Sequence, residues 1–233
     1  MCPIEASAAL SFAAVAWVIH ALLGVALPLL LTHAQRSDRF ARYRIAPLDK
    51  LDAALVRKGS RSLVLGHALG FGPLFALLYV PLAWRGVSCD PSTPTAMASI
   101  GYLIGYWLIQ ETGFYWFHRT MHRPFWYRRV HRVHHEFRTT SAVATEYFHP
   151  AESVALSLLV LSGPLLLGGH LALVYVWLAV AFLETADSHC GFAFPWSVAS
   201  KRHAAHHWTG NGWYGAFFNL WDRALGTTPG ARR

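Results

Sequence analysis

The chain of 233 residues is 54% apolar and only 14% charged, with a mean hydropathy of +0.31, whereas an ordinary soluble domain carries about 25% charged residues. That disfavours a disordered or coiled-coil protein and a simple water-soluble globule. Twenty Lys+Arg against 12 Asp+Glu give a net charge of +8, which suits a nucleic acid or a membrane surface until the charges are placed. Fourteen histidines are a second anomaly, and the three cysteines, Cys2, Cys89 and Cys190, have neither disulfide-framework nor zinc-ribbon spacing.

Ala8 to Leu31 is almost wholly apolar, broken by His20 and Pro28. Glu5, the lack of Lys or Arg ahead of it and its length make it a span rather than a signal peptide. The loop from Thr32 to Ser62 is basic, from Arg36 to Arg61. Leu63–Trp84 and Met97–Phe117 each slightly exceed the roughly 20 residues a spanning helix needs. Between them lies a short loop with Arg85, Cys89 and Asp90; Cys2 falls on the same side, so the two cysteines could pair. After the third span come Arg119, Arg123, Arg128, Arg129, Arg132 and Arg138. Val154 to Ala186 is too long for one span and is broken by Gly168-Gly169-His170, a turn between two helices each short for a full crossing. A tight, partly penetrating hairpin is the prediction. The tail adds Lys201, Arg202, Arg223, Arg232 and Arg233.

If the hairpin enters and returns, only Arg85 of the 20 basic residues lies apart from the rest. The positive-inside rule puts the others in the cytosol. Topology and attraction to anionic lipid then explain the basic balance, with no nucleic acid as partner. No repeat or linker divides residues 1–233. The expected fold is a single all-α integral membrane bundle of about three full spans plus a short helical hairpin, under a His-rich helical cap facing the cytosol.

The histidines are grouped. His118 and His122 have spacing i, i+4; His131, His134 and His135 have i, i+3, i+4; His203, His206 and His207 repeat that spacing; His189 stands alone in Asp187-Ser-His-Cys-Gly. On a helix those spacings share one face, and all four patches fall on the cytosolic side beside the membrane. Clustered imidazoles would repel one another if protonated and would need partners if buried neutral, so the pattern points to metal rather than to a basic rim. Imidazole alone does not choose among Zn, Cu, Fe and Ni. Nine nitrogens exceed what one zinc takes and suit two ions of high coordination number. Two neighbouring irons can activate dioxygen and take hydrogen from an unactivated C–H bond.

These boxes resemble the fatty acid hydroxylase / sterol desaturase superfamily of membrane di-iron oxygenases. Phe114-Tyr-Trp-Phe-His-Arg, Val130-His-Arg-Val-His-His-Glu, His149-Pro-Ala-Glu152 and Trp221-Asp-Arg-Ala-Leu-Gly-Thr227 carry the likeness, over about residues 102–227. Glu146-Tyr-Phe-His-Pro and Leu183-Glu-Thr-Ala-Asp-Ser-His-Cys-Gly-Phe look most like the C-4 methylsterol oxidases. Glu111 departs from the Asp usual before the first box, and Gly210-Asn-Gly-Trp-Tyr-Gly215 departs from the family's shorter turn.

The resemblance implies two iron ions (zinc in isolated protein as the other occupant) and stepwise oxidation of a sterol 4α-methyl group with O2. It also implies an endoplasmic-reticulum membrane and electrons from NAD(P)H through cytochrome b5 or a reductase. An external donor is what the resemblance implies, as no His-Pro-Gly-Gly haem-binding motif occurs in this sequence. As ligands and catalytic residues it implies His118, His122, His131, His134, His135, His189, His203, His206 and His207. Supporting roles fall to His149, Glu111, Glu152, Glu184, Asp187 and Asp222, because metal-bound imidazoles usually donate their other N–H to a carboxylate or carbonyl. His20, His67 and His170 read as satisfied polar residues in or near spans and His33 as interfacial; the Trp and Tyr residues read as an aromatic belt. The rival readings keep the chemistry and change the substrate (a sterol C-5 desaturase, a fatty-acyl hydroxylase, an alkane-forming enzyme) or change the class, to a membrane metal-binding or transport protein or a zinc hydrolase.

Overall fold

Long apolar runs satisfy their backbone in a bilayer by forming helices. The computed structural model, which describes residues 1–47, 50–92 and 94–229, is accordingly helical, with only two isolated β-bridges among the described residues. Helix α1 is Ala6–Ala34 and α2 is Ala53–Trp84. Helix α3 is Ala96–Met121. A hairpin follows, with α4 (Pro150–Val160) and α5 (Ser162–Leu167) as one arm and α6 (Leu171–His189) as the other. Two short helices, α7 (Ser200–Thr209) and α8 (Leu220–Ala224), lie in the cap.

Three helices are long and apolar enough to cross a membrane: α1, α2 and α6. Two expectations change here. Helix α3 has 26 residues, about 39 Å of rise, and runs the length of the bundle. It is not among the three most apolar helices, because Gln110, Glu111, Thr112 and Tyr115 interrupt its second half. The hairpin, in turn, is longer than the apolar run that predicts it. Its Gly168–Gly169 turn (φ +73° and +109°) docks on the loop between α2 and α3. There Ser88 N–H donates to Gly169 O at 2.8 Å and Leu171 N–H to Ser88 O at 2.8 Å, and Arg85 donates to Leu166 O at 2.9 Å. The hairpin therefore reaches the far end, and α6 is itself long and apolar enough to cross a membrane. Its helices extend past the apolar run at both ends, from Pro150 to His189, which hydropathy alone does not show.

The far end is also where Cys2 and Cys89 form a disulfide, while Cys190 is free and buried. The core beneath it packs Phe12, Phe75, Tyr79, Val87, Leu161 and Leu178 from α1, α2, the loop after α2 and the hairpin. Outward-facing Leu10, Leu22, Leu69, Leu77 and Ile104 are exposed, an apolar girdle that lipid would cover. Helices α1 and α2 each contain a π-helical stretch, His20–Ala26 and His67–Phe71, and each begins at a histidine. The opposite end is the cap, built from the segments after α1, α3 and α6. Arg232 and Arg233, counted above on this side, lie outside the described residues.

Candidate metal centre

Each histidine patch is held by a helix end. His118 is in the last turn of α3 and His122 is its C-cap. His189 closes α6. His203, His206 and His207 share one face of α7, as their spacing predicts. The middle box differs, because His131 ends a π-helical turn, Tyr127–His131, and His134 and His135 belong to a 3-10 turn. Its rings still converge with the others.

Convergence gives two groups, His118, His122, His131, His135 and His206 in one and His134, His189, His203 and His207 in the other. Within each group one nitrogen per ring lies within 4.8 Å of every other. All nine rings are buried or nearly so.

Hydrogen bonding to the far nitrogens explains the orientation. Nδ1 of His118 donates to Tyr214 O at 3.0 Å, that of His206 to Gly212 O at 2.6 Å and that of His207 to Phe137 O at 2.9 Å. Nδ1 of His189 faces Thr185 O at 3.0 Å. His131 Nδ1 donates to Glu152 Oε1 at 2.5 Å. A neutral ring that donates from Nδ1 presents a bare lone pair at Nε2. Yet the Nε2 atoms crowd one another. His131 Nε2 is 3.1 Å from those of His122 and His135, and His206 Nε2 is 3.2 Å from that of His135. In the second group, His189 Nε2 is 3.2 Å from that of His134 and 2.8 Å from that of His203, which is itself 3.1 Å from that of His207.

Protons alone do not reconcile these contacts. The bare nitrogens of His131 and His206 both face the one Nε2 of His135. Nitrogens bound about 2.1 Å from a shared cation, at near-right angles, stand about 3 Å apart, so the donor set and its spacing fit one ion per group.

Burial sets the protonation. It pushes His122 down to about 2, His135 to about 3 and His206 to about 4. His131, His134, His203 and His207 fall well below the ordinary value, first through burial and then through neighbouring rings that resist a second positive charge. Seven lone pairs are thus free for a cation at neutral pH.

The predicted supporting residues divide. Among them only Glu152 bonds a box ring. Asp222 accepts from Tyr214 N–H at 2.9 Å, Gly215 N–H at 2.6 Å and the Thr227 hydroxyl at 2.6 Å. It therefore fixes the loop whose carbonyls orient His118 and His206. Gly212 in that loop has φ +72°, and a Cβ there would meet Thr227 O at 2.5 Å, so the position requires glycine. Glu111 accepts from Phe217 N–H at 2.9 Å. Asp187 accepts from the Ser197 hydroxyl at 2.6 Å and from Val198 N–H at 3.2 Å, fixing the approach to α7. His149 caps α4 by accepting from Ala151 N–H at 3.2 Å and belongs to neither group. Glu184 lines a cavity instead.

That cavity, about 670 Å³, opens beneath the centre between α2, α3 and the hairpin, with His118, His131, His134, His189 and His203 at its polar end. Leu69, Leu74, Phe75, Leu159 and Leu178 line the rest. Its size and lining suit an apolar ligand with a few polar groups. Glu146 also lines it and has no role in the sequence reading beyond belonging to a signature. The carbonyls of Phe137, Thr185, Gly212 and Tyr214 were equally illegible, since a backbone acceptor leaves no residue-type signal.

Comparison with known proteins accords with this geometry. The fatty acid hydroxylase family model matches residues 103–227. "Methylsterol monooxygenase 2-2" of Arabidopsis thaliana is 31% identical over 210 residues, covering 85% of this chain and 79% of the relative. "Very-long-chain aldehyde decarbonylase GL1-11" of Oryza sativa subsp. indica is 32% identical over 204 residues, 83% of this chain and 76% of the relative. "Fatty acid hydroxylase domain-containing protein 2" of Homo sapiens is 32% identical over 190 residues, 80% of this chain and 57% of the relative. No solved structure matches. The chain belongs to the fatty acid hydroxylase family, a family of metal-using oxidoreductases, and carries within its membrane-type bundle histidine clusters able to bind metal.

Proposed function

We propose that the protein is a membrane di-iron oxygenase that oxidises the C-4 methyl group of a sterol precursor, with the nine box histidines as ligands. The observation that carries this is the joining of two imidazole groups of five and four to one large apolar cavity. Four and five nitrogens exceed the three protein ligands usual at catalytic zinc, which favours iron. When bound, the metal pair supplies dioxygen activation and removal of hydrogen from an unreactive C–H bond.

The chain's own part is positioning. Backbone carbonyls and Glu152 hold five of the rings in one tautomer, with their lone pairs directed inward. The apolar walls admit a lipid from the bilayer side and exclude water. Each oxygenation consumes one O2, two electrons and two protons and yields a hydroxylated carbon and water; successive rounds give alcohol, aldehyde and carboxylate. The electrons come from NAD(P)H through cytochrome b5 or a reductase docking on the basic cap.

The cap faces the cytosol and, in a eukaryote, the membrane is that of the endoplasmic reticulum. The far-end disulfide supports this orientation, because disulfides persist in oxidising compartments. A glycosylation tag near Asp90 should be modified and one near Lys50 should not; the reverse pattern would overturn the orientation.

The deciding experiment pairs metal analysis of anaerobically purified protein with product analysis on a 4,4-dimethylsterol, a fatty acyl substrate and a long-chain aldehyde, the last because an aldehyde decarbonylase is among the relatives. About two irons per chain and a C-4 oxidised sterol are expected. Zinc alone with anaerobic activity would move the protein to the hydrolases, and metal flux across vesicles without O2 uptake would move it to the transporters.

A further inference from the structure

A second histidine assembly lies apart from the nine, in the middle of the bundle. His20 of α1 is fully buried and His67 of α2 nearly so. Their Nδ1 atoms are 2.8 Å apart, and His20 Nε2 lies 2.7 and 2.8 Å from the two carboxylate oxygens of Glu146. Two donated protons satisfy every contact, from His67 Nδ1–H to His20 Nδ1 and from His20 Nε2–H to Glu146.

The local fold is built around this line. Each ring begins a π-helical stretch, a distortion frequent at functional sites. Trp17 stacks on His67 at 4.2 Å between centroids and Phe71 on His20 at 3.9 Å. A Cβ at Gly24 would strike the His20 ring at 2.5 Å. The line ends at the cavity wall, where Glu146 is part of the lining. Its carboxylate shares one N–H between two oxygens and keeps lone pairs free to accept from a ligand. It is also close to the metal end, since two residues on Phe148 stacks against His134 at 4.4 Å.

We infer that Glu146, oriented by His20 and His67, is a hydroxyl-binding subsite. It would accept a hydrogen bond from the single hydroxyl of an otherwise apolar lipid and so place a carbon near that hydroxyl, rather than a distant tail carbon, beside the metal centre. This rests on the oxygenase reading for its consequence, though not for the binding itself. Glu146 acts as a positioning and specificity residue.

The test is binding to purified, metal-loaded protein in detergent, read from quenching of intrinsic tryptophan fluorescence. Two matched probe pairs are used, cholestan-3β-ol against cholestane and hexadecanol against hexadecane. A hydrogen bond to a charged acceptor predicts at least a roughly tenfold preference for an alcohol over its hydrocarbon. Glu146→Leu should erase that preference, with hydrocarbon affinity and metal content kept within about twofold of the unaltered protein. Glu146→Gln preserves a partner for His20 and guards against misfolding. It should lower the preference and, through its amide N–H, gain affinity for cholestan-3-one, which the carboxylate lacks.

No preference in the unaltered protein, or the same preference in Glu146→Leu, overturns the subsite. A Glu146-dependent preference confined to the hexadecanol pair upholds the subsite and counts against a sterol. A Glu146-dependent preference in protein that never oxidises a lipid upholds the subsite while the oxygenase reading fails.

Discussion

In the cap, five rings direct their Nδ1 atoms outward, to carbonyls and to Glu152, and crowd bare nitrogens toward one another. In the bundle, His67, His20 and Glu146 form a line of hydrogen bonds in which each donor meets an acceptor. The same side chain is thus left incomplete in one place and complete in the other. The difference lies in where the second nitrogen goes. A cluster in which engaged outer nitrogens turn bare ones toward one another needs a cation at its centre; a chain that ends on a carboxylate does not. Variants in the two regions should therefore fail in different ways.

The largest effects belong to the cap. His134→Ala or His206→Ala, one from each group, should reduce turnover to background with membrane insertion intact. Metal content would show the loss and a membrane-extraction assay the insertion. Full oxidase activity in either variant would break the comparison at its root. Glu152→Gln keeps the shape but weakens the hold on His131. Loss of such outer partners usually costs about 10- to 100-fold in metal affinity or activity, and titration with a competing chelator reads it. Asp222→Asn acts one step further out, through the loop carbonyls, and should cost less than Glu152→Gln in the same titration.

Acid sharpens the contrast further. Burial lowers the folded-state pKa of seven cap histidines, three of them to about 2, 3 and 4, while the unfolded chain titrates near 6.5. Between those values the unfolded state binds more protons, so their contribution to stability is whole above about pH 6.5 and is lost progressively as pH falls toward the folded-state values of about 4, 3 and 2. Metal-free protein should show an unfolding free energy that declines through that window, by on the order of 1 kcal/mol per ring per pH unit at most, and a melting temperature that falls with it. Metal-loaded protein should resist until protons displace the ion. Equal acid sensitivity with and without metal would mean that the rings do not hold it.

What the sequence disclosed, and what it withheld, follows the same division. The i, i+3, i+4 spacing of His203, His206 and His207 reads directly as one face because α7 is a regular helix. The spacing of His131, His134 and His135 pointed to the same cluster, although their backbone is a π turn running into a 3-10 turn. The Gly168-Gly169 break located the hairpin, but its depth depended on a docking against Ser88 that hydropathy does not encode. Carboxylates near the boxes were legible as buried acids, yet Glu111, Asp187 and Asp222 accept from loop N–H groups rather than from imidazoles. The facing of His20 and His67 was the least legible, because a π stretch shifts the helical phase and defeats a count by 3.6.

The smallest effect, and the sharpest contrast, comes from His67. Replacing it with Phe preserves the stack on Trp17 and removes only the partner of His20 Nδ1. A buried polar atom left without its partner costs about 1–3 kcal/mol, so His67→Phe should lower the thermal midpoint modestly and leave metal content at the unaltered level. Cap variants should show the converse, losing metal before they lose the bundle. If His67→Phe instead emptied the metal centre, the two assemblies would be one coupled network through the cavity wall, and Glu146 would be the residue joining them.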